Sequence, residues 1–477
     1  MKVLFAVAEA DPFAKTGGLG DVGGSLPLAV NQGGCLMTVI MPKYKKIPAS
    51  LQESMVHIAD FTVNLGWRKQ GSVLWATEYQ GVSYYFIDNE YYFYRDDIYG
   101  YDDDKERFAF FSQGVLESIL YLKDDKPDIL HCNDWHTALI PVMLREHYRD
   151  NSFYRGIKTL LTVHNIKHQG IFSKELLGDL LGMREDSLGA RSLKFQNAIN
   201  FFKGGLLTAD VISTVSPSYA REIMQPEYGE GLEDIIKKRK DSLSGILNGI
   251  DYNKYNPYTD PALTAHYPSP GWKKKNKEEL QRYLKLTVEE GVPLFAIVSR
   301  LVDQKGLDLL EPIMDEILSL DLQMVVLGTG EKKYEEMFHH FACKYPSKLA
   351  AMFIFHEELA RKIYGGADLL LMPSCFEPCG LAQMMAMRYG TIPLVRETGG
   401  LKDSIIPFDP DTGFGNGFTF KSYKPEELLS AMKKAVTIYR DQKAWTHLQE
   451  RAMETDFSWA KSAQKYIDLY QDIMRRE

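Results

Sequence analysis

Lys15-Thr16-Gly17-Gly18-Leu19 combines a cation with two adjacent glycines where a strand-like run gives way to a helical pattern. Glycine lets backbone N–H groups come close to an anion and lysine adds a point charge, so the stretch suits a phosphate. The plainer reading is a turn needed only to pack a helix on a sheet. A second cationic pair is Arg300 and Lys305, in Val298-Ser299-Arg300-Leu301-Val302-Asp303-Gln304-Lys305-Gly306. Both follow a buried apolar run and so emerge at a strand end, where an arginine fork matches phosphate oxygens. Ordinary surface cations are the alternative there. The third stretch is Ser374-Cys375-Phe376-Glu377-Pro378-Cys379-Gly380-Leu381. Gly380 at a helix start leaves N–H groups for a phosphate, whereas Glu377 suits sugar hydroxyls or simple N-terminal electrostatics. A charged hydrogen bond contributes about 1.5–3 kcal/mol, so three basic groups on one pyrophosphate would bind it usefully.

Gly18-x-Gly20-x-x-Gly23 matches the dinucleotide fingerprint to the letter, and a nicotinamide dehydrogenase has to be weighed. Residues 9–17 intervene between strand and turn, and Pro42-Lys43 stands where the ribose-binding acid belongs, so that reading is set aside. His131-x-x-Asp134-x-His136 has metal-ligand residue types, but its side chains fan out around a strand-to-helix turn, and no metal is expected. Residues 79–111 are crowded with tyrosine and phenylalanine, whose faces can stack on sugar rings or fill a core.

The elements that must position these residues are short apolar runs alternating with helical patterns, the signature of a parallel α/β fold. In the first half they are Val3 to Ala8, Leu36 to Met41, Val82 to Ile87, Ile129 to Cys132, Thr159 to Val163 and Val211 to Val215. In the second they are Leu294 to Val298, Gln323 to Leu327, Met352 to Phe355, Leu369 to Met372 and Ile392 to Val395. Continuous apolar character implies burial on both faces, and so two Rossmann-like units. Glu397-Thr398-Gly399-Gly400-Leu401-Lys402-Asp403 echoes Lys15 to Asp21, so each sheet carries a glycine turn at its carboxyl edge. Turn-formers crowd residues 244–270, which places the domain boundary there: residues 1–243 form the first domain and 244–457 the second. From Ser458, a plausible helix N-cap, a helical pattern with Tyr466, Leu469, Tyr470 and Ile473 on one face runs through 477 and docks on either domain.

At 477 residues and 45% hydrophobic content, two cores are the default, and a net charge of −8 argues against nucleic acid or an anionic membrane surface. The five cysteines are odd in number, and Cys375-x-x-x-Cys379 is not a usual zinc spacing, which reads as a reducing, cytoplasmic setting. Glu9 and Asp11 interrupt the signal-like start, and no apolar stretch reaches the ~20 residues of a membrane span.

Lys15-Thr16-Gly17-Gly18-Leu19, Arg300-x-x-x-x-Lys305-Gly306, Glu377-Pro378-Cys379-Gly380-Leu381 and Thr398-Gly399-Gly400-Leu401, in this order, resemble the bacterial glycogen synthase and plant starch synthase family. The likeness covers nearly the whole chain, with Asp134-Trp135-His136, Val163-His164-Asn165, Asn248-Gly249-Ile250-Asp251 and Asp456-Phe457-Ser458-Trp459. The resemblance implies the GT-B architecture, two facing Rossmann-like domains with the active site in the cleft. It implies glucose transfer from ADP-glucose, in preference to UDP-glucose, to the non-reducing 4-hydroxyl of an α-1,4-glucan, with retention and without metal or cofactor. Arg300 and Lys305 would hold the pyrophosphate, with Lys15, Thr16, Gly17 and Gly18 reaching it across the cleft. Cys379, Gly380 and Leu381 would supply backbone donors and Glu377 would grip the glucose. His164 would support developing charge beside the sugar, Asn165 and Asn248 would position hydroxyls, and Asp21, Tyr94 and Asp134 would support sugar or acceptor. No paired acid of the hydrolase kind is present, which favours front-face substitution over a covalent route through Glu377. Many related transferases carry a second acid eight residues after the first; here that position is Met385. The rival readings are a same-fold transferase with a small acceptor and a catalytically silent glucan-binding protein.

Overall fold

In a computed structural model, which describes residues 1–122 and 125–476, the chain divides into two compact units. One is Met1–Gly249 with Trp459–Glu477 and the other is Ile250–Ser458. The boundary expected at 243/244 falls later because Leu243–Gly245 pairs in parallel with Val211–Thr214 as an edge strand of the first sheet. The two passages of chain run side by side, with Ile250 N donating to Phe457 O at 2.8 Å.

The first unit is built on a nine-stranded sheet. Its order is Leu243–Gly245, Val211–Thr214, Lys158–Val163, Ile129–Asn133, Lys2–Ala6, Leu36–Pro42, Val82–Asp88, Arg68–Tyr79, Val56–Leu65. The first seven are parallel, and the last two turn antiparallel as a hairpin. That hairpin is absent from the sequence reading, although Phe61, Val63 and Leu65 alternate as buried with exposed Thr62 and Asn64, the pattern of a half-buried strand. A small antiparallel sheet of Ile171–Ser173, Ala198–Asn200 and Lys194–Phe195 sits in the same unit.

Helix Trp459–Arg475 packs on helix Gly18–Gln32, with Tyr466, Leu469, Tyr470 and Ile473 all buried. Its docking is polar as well as apolar. His131 Nδ1 meets Tyr470 OH at 2.7 Å, and His131 Nε2 meets Thr162 Oγ1 at 2.6 Å. Ser462 Oγ donates to Leu247 O at 2.6 Å. Glu477, the end of the predicted helical tail, lies outside the described residues.

The second unit holds a six-stranded, all-parallel sheet. Its order is Leu349–Met352, Gln323–Leu327, Leu294–Val298, Leu369–Met372, Ile392–Arg396, Phe418–Phe420. The edge strand begins three residues before the expected Met352 to Phe355, and Phe355 is instead 81% exposed. Edge strands pair on one side only, so the apolar run marks them less sharply than it marks central strands.

Candidate active site

In each sheet the chain runs from a central strand to one side and later returns on the other. Loops at the carboxyl ends of the two strands flanking that reversal diverge into a crevice where open α/β sheets bind ligands. In the first sheet these strands are Lys2–Ala6 and Ile129–Asn133; in the second they are Leu294–Val298 and Leu369–Met372. The loops that follow them carry Lys15, Asp134, Arg300, Lys305 and Glu377.

In the first unit, Glu9 is 3% exposed and organises the loop. Its carboxylate accepts from Thr16 N at 2.5 Å, Gly17 N at 3.3 Å, Thr16 Oγ1 at 3.1 Å and Tyr99 OH at 3.2 Å. Burial nonetheless raises its pKa, against those hydrogen bonds. The amides of Thr16 and Gly17 therefore hold an internal carboxylate, which corrects the expectation that they face a phosphate. Lys15 Nζ lies 2.6 Å from Asp21 Oδ1, so Asp21 is the partner of that ammonium.

The fingerprint glycines have a packing role. A Cβ on Gly20 would lie 2.7 Å from Lys15 Cγ, and one on Gly23 would lie 2.6 Å from Glu9 O. Gly17 differs: its backbone is extended, and nothing stands within 4 Å of where its Cβ would be.

Asp134 closes the Ile129–Asn133 strand with a left-handed φ of 56°. Its Oδ1 accepts from His164 N at 2.7 Å and Asn165 N at 3.3 Å. Burial pushes its carboxyl up to about 7, opposed by those two N–H groups and assisted by the charge of Glu9. His164 Nε2 meets Asn133 Oδ1 at 2.9 Å. Asn133 Nδ2 donates to Ala6 O and His131 O, so its Oδ1 is the acceptor and His164 carries its proton on Nε2. Burial lowers the His164 pKa to about 3. The ring is therefore neutral at physiological pH, and what it offers is an Nδ1 lone pair and a dipole, not a cation.

In the second unit, Lys305 Nζ lies 2.7 Å from Glu377 Oε2, and Ser374 Oγ donates to the same oxygen at 3.0 Å. Gly306 has φ 69°, and a Cβ there would meet Pro373 O at 2.1 Å, so the two loops touch backbone to side-chain position. Arg396 Nε donates to Ser374 O at 2.7 Å, fixing the stretch before Glu377. Arg300 is exposed, and its guanidinium has no ion pair among the described residues. The Thr398-Gly399-Gly400 echo is filled by the protein's own backbone: Cβ atoms on Gly399 and Gly400 would meet Glu377 O at 1.9 Å and Cys379 O at 2.1 Å. It packs against the Glu377 turn, with Gly400 N donating to Glu377 O at 3.0 Å. Gly380 has φ 70°, and the helix Ala382–Arg388 begins two residues later, with Gln383 Nε2 donating to Cys379 O and Gly380 O. Met385 is buried on that helix.

Asn248 lies in the first unit, buried, with Oδ1 unpartnered among the described residues. Tyr94 is 61% exposed, with Lys45 Nζ 5.4 Å from the centre of its ring. His131 is committed to Tyr470 and Thr162, while Asp134 holds backbone, so the predicted fanning of that cluster has these partners. A cavity of about 510 Å³ opens elsewhere, at the amino-terminal edge of the first sheet beside Met1, Cys35 and Met474. Sequence reasoning missed Glu9, Asn133 and Tyr99 as site residues. Only the carboxylate of Glu9, interrupting an apolar strand, carried a signal.

Residues 2–238 match the family model described as starch synthase catalytic domain, and 282–452 that for group 1 glycosyl transferases. The chain is 51% identical over 474 residues to a glycogen synthase of Desulfitobacterium hafniense, covering 99% of each. It is 51% identical over 477 residues to one of Clostridium acetobutylicum, covering 99% of this chain and 100% of that one. The catalytic domain of starch synthase IV from Arabidopsis thaliana, bound to ADP and acarbose, superposes with TM-score 0.91 at 33% identity, covering 100% of this chain and 99% of that one. A sucrose-phosphate synthase from Thermosynechococcus elongatus, at 15% identity and TM-score 0.63 over 99% and 98% of the two chains, shares the fold alone. Among the described residues, no helix is long and apolar enough to cross a membrane.

Proposed function

We propose, from the premise that the chain belongs to the glycogen synthase and starch synthase family of glycosyltransferases, that it transfers glucose from ADP-glucose to the non-reducing 4-hydroxyl of an α-1,4-glucan with retention of configuration. The observation that carries the reading is the Lys305–Glu377 pair at the strand reversal of the second sheet, in the loop that also carries Arg300, whose guanidinium has no ion pair among the described residues. Arg300 and Lys305 take the donor's pyrophosphate, and their charges stabilise the diphosphate as it leaves. Glu377 accepts from hydroxyls of the transferred glucose; its oxygen Oε2 is already held by Lys305 and Ser374, a poor arrangement for a nucleophile. The leaving phosphate therefore receives the acceptor's proton in a front-face displacement. Gly380 and Leu381 supply backbone donors.

From the first unit, the Lys15 ammonium and the Gly18 amide act on the donor phosphates, with open space beside Gly17 for their approach. His164, neutral, accepts a sugar hydroxyl at Nδ1, and Asp134, Asn165 and Asn248 orient neighbouring groups. ADP as donor nucleotide and a glucan acceptor are supported by the ADP and acarbose bound to the Arabidopsis thaliana relative. The test is incubation with glycogen and either ADP-glucose or UDP-glucose while nucleoside diphosphate release is followed. Turnover with ADP-glucose is expected. No turnover with either donor would leave the silent glucan-binding reading, and faster turnover with UDP-glucose would reassign the base.

A further inference from the structure

We infer that Glu9 is a positioning residue for donor binding: its buried carboxylate, through hydrogen bonds to Thr16, Gly17 and Tyr99, fixes the loop that presents Lys15. The inference rests on the proposed assignment of that loop to the donor phosphates.

A carboxylate 3% exposed is retained only where its oxygens are satisfied. Here they are satisfied from two separate parts of the chain. Oε2 takes Thr16 N and Gly17 N, and Oε1 takes Tyr99 OH, while Thr16 Oγ1 lies 3.1–3.2 Å from both oxygens. The far side of this connection is rigid. Arg107, fully buried, donates to Tyr92 O at 2.7 Å and Ile98 O at 3.0 Å, and Asp104 accepts from Gly100 N at 2.8 Å and Tyr101 N at 3.3 Å. Tyr99 is thus held on both flanks, and its ring lies 4.7 Å from that of His136.

On the near side, the missing Cβ of Gly20 leaves the space in which Lys15 Cγ and Glu9 Oε2 lie together. Lys15 consequently leaves the loop directly beside the carboxylate and turns to Asp21. With the Thr16 and Gly17 amides bound to Glu9, the loop's own contribution to an anion is concentrated in the Lys15 ammonium. Its placement depends on the length of the residue at position 9.

Geometry also separates length from charge. Glutamine can keep its oxygen on the two amides and turn its NH₂ toward Thr16 Oγ1 and Tyr99 OH, both of which can accept. Aspartate is one methylene too short to span both sides. Glu9→Ala, Glu9→Asp, Glu9→Gln and Lys15→Ala are to be compared by steady-state kinetics, by calorimetric titration with ADP, and by thermal unfolding. The expected pattern is a rise of about tenfold or more in the ADP-glucose KM and the ADP Kd for Glu9→Asp and Glu9→Ala, with the glycogen KM within about twofold and Glu9→Gln close to the parent. A structural role alone would move the unfolding temperature without that split. If Lys15→Ala raises the donor KM while folded Glu9→Asp leaves it unchanged, or raises the glycogen KM equally, the inference is wrong. If Glu9→Gln is as impaired as Glu9→Ala, charge and not hydrogen-bond geometry is responsible, and the inference is again overturned. If Lys15→Ala leaves the donor KM and the ADP Kd unchanged, the donor assignment of the loop itself fails.

Discussion

Replacing Asp134 by asparagine should make the protein more stable above pH 7 and a far poorer catalyst. Asp134 is 8% exposed, and its carboxyl is pushed up to about 7 from the ordinary 3.8. At about 1.36 kcal/mol per pH unit, keeping it charged costs the fold about 4 kcal/mol above pH 7. Because the folded chain binds this proton more tightly than the unfolded chain, stability falls as pH rises through the window from 3.8 to about 7. Asparagine tolerates the left-handed φ of 56° and keeps an oxygen for His164 N and Asn165 N. Its buried NH₂ costs about 1–3 kcal/mol if it finds no acceptor, so the net gain at pH 8.5 is about 1–3 kcal/mol. At pH 4 the gain disappears or reverses. Calorimetric unfolding of parent and variant at pH 4, 6 and 8.5 reads this directly, as several degrees of Tm. Glucosyl transfer by the parent should lose activity as pH falls through about 7, and the variant's residual rate should lack that limb. Equal loss of stability in the two proteins between pH 4 and 8.5 would refute the reasoning, because Asp134 would then carry no buried charge.

The two glycine turns make opposite predictions. Gly17→Ala places a Cβ in open space on extended backbone, so Tm should not move while the donor KM rises about tenfold; an unchanged KM would show that no ligand approaches there. Gly399→Ala forces a Cβ to within 1.9 Å of Glu377 O at a φ of 44°, and unfolding should come about 2–4 kcal/mol earlier, with kcat lowered through the displaced Glu377 turn. Arg300→Lys keeps the charge but loses the fork: stability should stay within about 0.5 kcal/mol, and kcat/KM should fall about tenfold to a hundredfold. A kcat/KM within twofold of the parent would remove Arg300 from the phosphate site.

The sequence by itself determined the class of fold and the places where chemistry is possible. An apolar run buried on both faces must be a central parallel strand, and the first polar residues after it must surface at the carboxyl edge of its sheet. That local rule, joined to the glycine and cation patterns of the loops that follow, is enough to bring out Lys15, Asp134, Arg300, Lys305 and Glu377, though it passed over Glu9, the first polar residue after its strand. The edge elements escaped it, since Val56–Leu65 and Leu349–Met352 are paired on one side and advertise themselves weakly. What only the tertiary structure decided is which donors and acceptors remain for a ligand. The partners that settle this lie far along the chain: Tyr99 is 90 residues from Glu9, and Tyr470 is 339 residues from His131. Spacing reports the two turns at Gly17 and Gly399 as repeats of one device. Packing separates them, because one Cβ position opens to empty space and the other is filled by the carbonyl of Glu377.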